Sequence, residues 1–133
     1  MANLEHIKIS EEAKTFLASN HQLLIDGEWV SSTSGEKIPV FDPGTEAKIA
    51  EVDSGNEDDI SSAVSAARNA LTGEWSKIPS HDRAQLLNKL ADDIDTCLPL
   101  LAELEVLDNG MPLALAHYSI AGHGTTLLRY YAG

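Results

Sequence analysis

The spacing of apolar residues changes along the chain and divides it into a strand-rich part and a helical part. Between about residues 22 and 53, apolar runs with a period near two alternate with polar turns, which predicts four short strands. After Gly55 the period lengthens to about 3.6, which predicts helices as far as the last residue. The expected fold class is therefore α/β, with N-terminal strands followed by four to five helices.

Two turns define the predicted strands. Asp26-Gly27 separates LLI from EWV within residues 23–30, and this dipeptide favours a type I′ hairpin because both of its central residues need positive φ. KIPVF (37–41) and KIAEV (48–52) follow as two further strands, joined through the polar turn at residues 42–45.

Capping residues set the first helix boundaries. A leader helix is predicted over 9–19, with Ser10 as its N-cap. Its apolar face consists of Ile9, Ala13, Phe16 and Leu17. The first helix after the strands is expected to begin at the cap Asn56 and to end at Gly73. Its apolar stripe consists of Ile60, Val64, Ala67 and Leu71.

Two more helices are separated by a proline. The first begins at Ser80 and ends near Asp95–Thr96, because Pro99 cannot supply the backbone N–H that a continuous helix needs. Its stripe consists of Ala84, Leu87, Leu90 or Ala91, Ile94 and Leu98. The second covers 98–108 and ends at the Asn109-Gly110 C-cap signal.

The last helical pattern runs from about Leu113 to the end of the sequence. It includes Gly122 and Gly124, each of which weakens a helix by about 1 kcal/mol relative to alanine. Residues 1–133 are therefore predicted to form one domain portion, comprising a leader helix (1–20), a strand region (21–55) and a helical region (56–133).

The composition and charge of the chain limit the classes of partner that it can bind. The formal charge of -12 makes nucleic acid and anionic membrane surfaces unfavourable partners. The longest apolar runs are too short to span a bilayer, and residues 1–14 contain no apolar signal core. A cytoplasmic location is expected. The single cysteine excludes an internal disulfide.

No motif for binding nucleotide phosphates or a metal is present. The sequence lacks GxGxxG, the GxxxxGK loop, HExxH and CxxC. His117 and His123 are six residues apart and so point to different sides of a helix. The five histidines are interpreted as isolated surface or packing residues.

Cys97 is predicted to be an inert, buried or half-buried thiol. A reactive cysteine needs a helix N-terminus or a nearby cation, whereas Cys97 is surrounded by Asp92, Asp93 and Asp95. These carboxylates could form an acid–base pair, but a solvated helix face is the simpler interpretation of such a run. Asp108, at a predicted helix end, could supply a carboxylate to a hard cation.

Six segments, in this order and spacing, resemble the start of the aldehyde dehydrogenase superfamily. They are LLIDGEWV (23–30), FDPGT (41–45), ISSAVSAARNAL (60–71), GEWSKIPSHDRAQLLNKLADDID (73–95), LAELEVLDNGMPL (101–113) and LRYYAG (128–133). The resemblance covers about residues 21–133. The turn departs from the family's usual Asn-Pro-Ala-Thr-Gly-Glu, because Gly44 comes earlier and no glycine follows Thr45.

The resemblance implies an incomplete part of the family's cofactor-binding domain, from the N-terminal portion of an enzyme that oxidises aldehydes to carboxylic acids with NAD or NADP. In the family, the catalytic cysteine, the oxyanion-hole asparagine, the general-base glutamate and the cofactor loop come later in the chain. No catalytic or cofactor-binding residue is therefore assigned, and Cys97 does not match the nucleophile. The chain alone is expected to be inactive and to bind no cofactor. Its expected partners are the remainder of the fold and, in the parent enzyme, identical subunits.

Two minor sites are implied by the same resemblance. Some family members bind a structural monovalent cation between a carbonyl near the turn and the aspartate of the LDNG motif. The matching positions here are Val40 or Phe41, and Asp108. The helix that follows lines the family's substrate tunnel, and Ser119 and His123 are the matching tunnel-facing positions. GMPLALAHYSIAG is most similar to bacterial members that act on aromatic aldehydes.

Two alternatives have different consequences. A standalone, non-catalytic interaction module that docks on full-length subunits predicts a folded chain with a stable interface. A truncated product without function predicts no such interface. The intact apolar stripe at Leu87, Leu90, Ile94 and Leu98 favours a segment that packs against further structure.

Overall fold

A computed structural model of the chain describes residues 9–133. Residues 1–8, which include His6 and the first part of the predicted leader segment, lie outside the described residues. The elements are α1 (Glu11–Leu17), β1 (Leu23–Ile25), β2 (Glu28–Val30), β3 (Lys37–Phe41), β4 (Lys48–Asp53), α2 (Glu57–Thr72), α3 (Glu74–Lys77), α4 (Ser80–Thr96), α5 (Leu98–Asn109), α6 (Leu113–His117), a π-helical segment (Tyr118–Thr125) and α7 (Thr126–Ala132). The predicted α/β class is confirmed.

The four strands form two separate antiparallel hairpins, β1–β2 and β3–β4. Between β1 and β2, Asp26 and Gly27 have φ of 54° and 82°, as the predicted type I′ turn requires. In the second hairpin Lys37 pairs with Asp53, and the register shifts between Val40 and Phe41. This irregularity bends the end of β3 immediately before the turn.

The leader helix forms and packs on α5. The Ser10 hydroxyl accepts the Ala13 N–H at 3.1 Å and so caps α1, as predicted. Both the backbone N–H and the hydroxyl of Ser10 donate to Glu103 Oε2, at 3.2 and 2.5 Å. Ala13 is fully buried in this contact region. The N-cap therefore serves both to start the helix and to attach it to α5.

The first helix of the helical region has the predicted boundaries. Asn56 and Asp59 form a reciprocal capping box, and Gly73 ends α2. The short helix α3 follows and was not predicted separately. The predicted apolar stripe of α2 remains on the surface, with Ile60 60% exposed and Leu71 72% exposed. Most of this helix therefore has no apolar neighbour among the described residues.

The proline junction lies at its predicted position. The helix α4 continues to Thr96, and Cys97 serves as its C-cap and as the N-cap of α5. Pro99 occupies the first turn of α5, where its missing N–H costs no helical hydrogen bond. At the other end, Gly110 adopts φ 75° and donates its N–H to Val106, which confirms the predicted C-cap.

The last helical run is not a uniform α-helix. A π-helical segment separates α6 from α7, and it contains both Gly122 and Gly124. Glycine adopts the backbone angles of a wider turn more readily than other residues do. The hydroxyls of Thr125 and Thr126 also both donate to the Ala121 carbonyl. The helix that was predicted to be weak at the two glycines therefore forms a wider turn there and does not end.

The packed interior is small. Its buried apolar residues are Ala13, Ile49, Ala91, Ala102, Leu107 and Ala116. Four of these six are alanines, and among residues 9–133 no large side chain is completely buried. The packing is concentrated where α7 lies along α4 and where α6 follows α5. Within the described part of the chain, no helix is both long and apolar enough to cross a membrane.

Candidate functional site

The densest polar cluster ties the loop after β2 to the start of α2. Ser32, Asp53 and Asp59 are all buried. The Ser32 N–H donates to Asp53 Oδ2 at 2.8 Å, and the Ser32 hydroxyl donates to Asp59 Oδ2 at 2.7 Å. Asp59 also accepts the backbone N–H groups of Asn56 at 3.0 Å and Thr33 at 3.2 Å. Two buried carboxylates are thus held by donors from three segments of the chain.

Hydrogen bonding keeps these carboxylates ionised. The Asn56 N–H, the Ser32 hydroxyl and the Thr33 N–H lower the pKa of Asp59 to about 2. An ion pair with Lys37 and the Ser32 N–H lower the pKa of Asp53. Because protein donors occupy the oxygens, the cluster acts as a structural tie between the sheet region and α2. In the part of the chain described, no group of three or more His, Cys, Asp or Glu side chains could hold a metal ion.

The turn after β3 lies against the end of α5. A Cβ built on Gly110 would come within 3.2 Å of Pro43 Cγ, so this glycine permits the close approach. Asp42 is buried in the turn and accepts from the Thr45 hydroxyl at 2.5 Å and the Gly44 N–H at 2.9 Å. These two bonds lower the pKa of Asp42.

The predicted cation-site residues lie on the two elements that meet at this turn. Val40 and Phe41 end β3, half-buried and exposed respectively. Asp108 is exposed in the last turn of α5. Packing of Gly110 on Pro43 brings the two elements together at that point. The assignment of Val40 or Phe41 and Asp108 as cation ligands stays a prediction.

The predicted tunnel residues lie in the π-helical segment. Ser119 is half-buried and His123 is exposed, and their four-residue separation places them on nearly one face. Tyr118 was not predicted and lies beside them. Its ring is edge-on to the His123 ring at 5.3 Å, and a Cβ on Gly122 would lie 3.4 Å from it. Tyr118 and His123 are in aromatic contact, and Ser119 lies next to Tyr118 in the sequence. The role of Ser119 and His123 in a tunnel stays a prediction.

The prediction that Cys97 is buried or half-buried is wrong. Its thiol is exposed, because the residue caps a helix junction and does not face the interior. The neighbouring acidic run is an exposed helix face, as predicted, but it also anchors α7. Arg129 donates to Asp92 at 2.6 Å and to Asp95 at 2.8 Å. Asp95 and Asp92 raise the pKa of Arg129.

The described histidines occupy unrelated positions. His21 lies 5.0 Å from the Phe16 ring, and its Nε2 is buried without a hydrogen-bond partner. His81 is bonded to Gln85 at 2.9 Å on the surface of α4. Within residues 9–133, none of these histidines belongs to a group of three or more His, Cys, Asp or Glu side chains that could hold a metal ion. The interpretation of the histidines as isolated surface or packing residues agrees with these positions.

The start of α2 does not suit the diphosphate of a dinucleotide. Two of its helix-start N–H groups, which would suit a phosphate, are already bonded, because Asn56 N–H donates to Asp59 Oδ2 and Asp59 N–H donates to Asn56 Oδ1. The first turn of α2 also carries Glu57 and Asp58, which repel an anion. The start of α2 therefore offers no favourable site for a diphosphate.

The polar cluster and Tyr118 were missed by sequence reasoning for different reasons. Ser32 and Asp59 are 27 residues apart, and no local pattern links a loop serine to a helix cap at that distance. Tyr118 had a signal, because a tyrosine four residues before Gly122 can lay its ring over a residue without a side chain.

Comparison with known proteins identifies relatives along most of the sequence. The family model described as the aldehyde dehydrogenase family matches residues 29–133. Aldehyde dehydrogenase 1A1 of Ovis aries is 41% identical over 114 residues, which span 84% of this chain and 23% of the relative. The aldehyde dehydrogenase of Enchytraeus buchholzi is 40% identical over 128 residues, spanning 95% of this chain and 26% of the relative. The chain thus spans about a quarter of the length of these relatives.

Solved structures share the fold. Aldehyde dehydrogenase from Bacillus cereus, in its NAD+ complex, matches with a TM-score of 0.90 and 38% identity, over 96% of this chain and 26% of that chain. Betaine aldehyde dehydrogenase from Staphylococcus aureus, also with NAD+, matches with a TM-score of 0.85 and 31% identity, over 92% and 24%. Sequence and structure agree, and the chain belongs to the aldehyde dehydrogenase family.

Proposed function

We propose that this chain is the N-terminal segment of an enzyme that oxidises aldehydes to carboxylic acids with NAD+ or NADP+, and that it supplies structure rather than catalytic groups. The observation that carries the proposal is its colinear match to aldehyde dehydrogenases along residues 29–133. The related structures from Bacillus cereus and Staphylococcus aureus hold NAD+, which supports a nicotinamide cofactor for the whole enzyme. The cofactor is bound by parts of the fold beyond this segment.

The segment forms one wall of the substrate path in this proposal. Ser119 and His123 face the aldehyde from the π-helical segment, where a hydroxyl and an imidazole can orient a carbonyl or its substituent. The Tyr118 ring supports His123 from the side. An aromatic surface of this kind suits an aromatic aldehyde, in line with the resemblance of residues 110–122 to bacterial members of that specificity.

A structural cation is proposed at the contact between the β3 turn and α5. A backbone carbonyl of Val40 or Phe41 and the carboxylate of Asp108 supply oxygen ligands, which hard cations prefer. Support comes from the close packing of Gly110 on Pro43, which holds the two elements together. Such an ion fixes the turn against the helix and takes no part in the chemistry.

The proposed partners follow from the exposed apolar residues. Seven large apolar side chains on α2, α3 and α7 are between 45% and 75% exposed in this chain, including Leu71, Trp75 and Tyr131. We propose that the remainder of the aldehyde dehydrogenase fold covers part of this surface and that identical subunits cover the rest. A cytoplasmic location, without nucleic acid or membrane partners, is proposed for the enzyme.

A chimera tests the proposal directly. The matching segment of the Bacillus cereus aldehyde dehydrogenase is replaced by residues 9–133 of this chain, and NAD+ reduction is measured with an aromatic and an aliphatic aldehyde. We expect a folded chimera that oxidises aldehydes. We also expect Cys97→Ser to leave its rate unchanged, because Cys97 is not the nucleophile.

Two further variants locate the substrate wall. Ser119→Ala and His123→Ala should change KM for the aldehyde more than KM for NAD+, whereas the exposed control Glu28→Gln should change neither. A folded chimera without activity would contradict the scaffold role and favour the non-catalytic docking module. Loss of activity in Cys97→Ser would contradict the absence of catalytic groups in this segment.

A further inference from the structure

Asn109 combines a chemically reactive sequence with hydrogen bonds at both ends of its side-chain amide. Of the six asparagines in the sequence, it alone is followed by glycine. Glycine has no side chain to hinder the approach of its backbone nitrogen to the preceding residue. Both Asn109 and Gly110 are exposed at the end of α5, so water reaches them.

Three hydrogen bonds close this helix end. The Gly110 N–H donates to the Val106 carbonyl at 2.9 Å. Asn109 Oδ1 accepts the Met111 N–H at 2.9 Å, and Asn109 Nδ2 donates to Glu105 Oε1 at 2.6 Å. The side-chain amide is therefore held at both ends while the neighbouring backbone nitrogen is engaged elsewhere.

We propose that Asn109 is a site of spontaneous deamidation controlled by the last turn of α5. In the open turn, the Gly110 nitrogen loses its proton to solvent base and attacks Asn109 Cγ. The new N–Cγ bond closes a five-membered succinimide, the Cγ–Nδ2 bond breaks, and Nδ2 leaves as ammonia with a proton from water. Water then opens the ring at either carbonyl to give aspartate or isoaspartate, with no change of oxidation state.

The closed turn opposes each part of this reaction. The hydrogen bond to Val106 stabilises the protonated Gly110 nitrogen and so disfavours the nucleophile. The bonds to Met111 and Glu105 hold the amide in place. Ring closure also requires rotation about the Cα–C bond of Asn109 away from its helical value. Reaction therefore proceeds from the locally opened helix end, and its rate follows the population of that state.

Deamidation has a structural consequence at the same point. A carboxylate at position 109 lies at the negative end of the α5 dipole beside Glu105 and Asp108, where anions are unfavourable. An isoaspartate lengthens the backbone by one carbon and moves Gly110 relative to Pro43, its packing partner. The modification thus loosens the contact between α5 and the turn after β3.

Peptide mass spectrometry tests the inference on the protein as it is naturally expressed. Trypsin releases residues 90–129 as one peptide, in which Asn109 is the only asparagine and no glutamine occurs. A gain of one mass unit in this peptide therefore reports deamidation of Asn109 alone. The gain is followed at mildly alkaline pH in native and in denaturant-unfolded protein, with folding checked by circular dichroism.

We expect the unfolded protein to react at least about tenfold faster than the native protein, since the closed turn must open first. Glu105→Ala removes one restraint on the amide and should speed the native reaction without changing the unfolded one, whereas the exposed control Glu28→Ala should change neither. Asn109→Gln should abolish the mass gain in both states.

Three results would overturn the inference. Equal deamidation rates in native and unfolded protein would show that the last turn of α5 does not control the reaction. The absence of a mass gain in the unfolded chain would remove the site itself. A folded Glu105→Ala variant with the wild-type native rate would show that the amide restraint plays no part.

Discussion

Single residues set the turns and caps of this chain, and these were the features that sequence reasoning predicted best. Asp26-Gly27, Asn56 and Gly110 each act through their own backbone conformation or an adjacent N–H, so their effect is visible in a few consecutive letters. The bond between Ser32 and Asp59 is different, because it depends on how two distant segments are placed. Contacts of this second kind could not be predicted from local patterns.

Asp59→Asn tests the importance of the polar cluster. Its hydrogen bonds lower the pKa of Asp59 in the folded protein from its ordinary value of 3.8 to about 2, so its stabilising effect is present above about pH 4 and disappears as the pH falls toward 2. At neutral pH the variant should be less stable than the wild type. The reason is that the NH2 group of the asparagine side chain cannot accept the hydrogen bonds that backbone N–H groups donate to Asp59. The difference should shrink in acid.

Urea unfolding at a series of pH values measures this difference, with the exposed Glu57→Gln on the same helical turn as the control. A stability difference between wild type and Asp59→Asn that stays constant from neutral pH to about pH 2 would contradict the assigned ionisation.

Whole elements were predicted from the period of apolar residues and from their end signals. The boundaries of α2, α4 and α5 agree with the sequence to within a few residues, because proline and glycine interrupt the helical pattern where the structure ends each helix. The π-helical segment was not predicted, since it depends on a small energy difference between two hydrogen-bond spacings that share nearly the same apolar pattern.

The two glycines of this segment should respond differently to alanine. A Cβ at Gly124 meets no neighbouring atom, so Gly124→Ala should stabilise the protein by about 0.5–1 kcal/mol through the reduced entropy of the unfolded chain. Gly122→Ala should gain less, because its Cβ lies 3.4 Å from the Tyr118 ring. Denaturant unfolding of both variants measures this, and destabilisation by both would mean that the wide turn requires glycine at each position.

The whole molecule contains apolar surfaces of two kinds, and the sequence could not distinguish them. The stripe on α4 is partly covered by α7, whereas the stripe on α2 remains exposed, although both have the same helical periodicity. Periodicity shows that a helix has an apolar face but does not say which element covers it. The small interior and the exposed side chains together support the proposal that further parts of the fold cover this surface.

Leu71→Ala should therefore have different effects in two contexts. In the isolated chain Leu71 is 72% exposed, and the substitution should cost less than about 1 kcal/mol. In a complete aldehyde dehydrogenase fold that covers α2, the same substitution should cost roughly 2–5 kcal/mol, the range for a buried leucine. Urea unfolding of the chain and of the chimera measures both losses of stability. Equally small losses in the two proteins would contradict the proposal that the rest of the fold covers α2.

The most direct test of the scaffold role is NAD+ reduction by purified residues 1–133 alone, in the presence of an aldehyde and recorded against an enzyme-free blank. We predict no turnover above the blank, because the proposed scaffold role assigns neither a nucleophile nor a phosphate-binding loop to this segment. Turnover that Cys97→Ser abolishes would contradict this account and would make the exposed thiol of Cys97 a catalytic group.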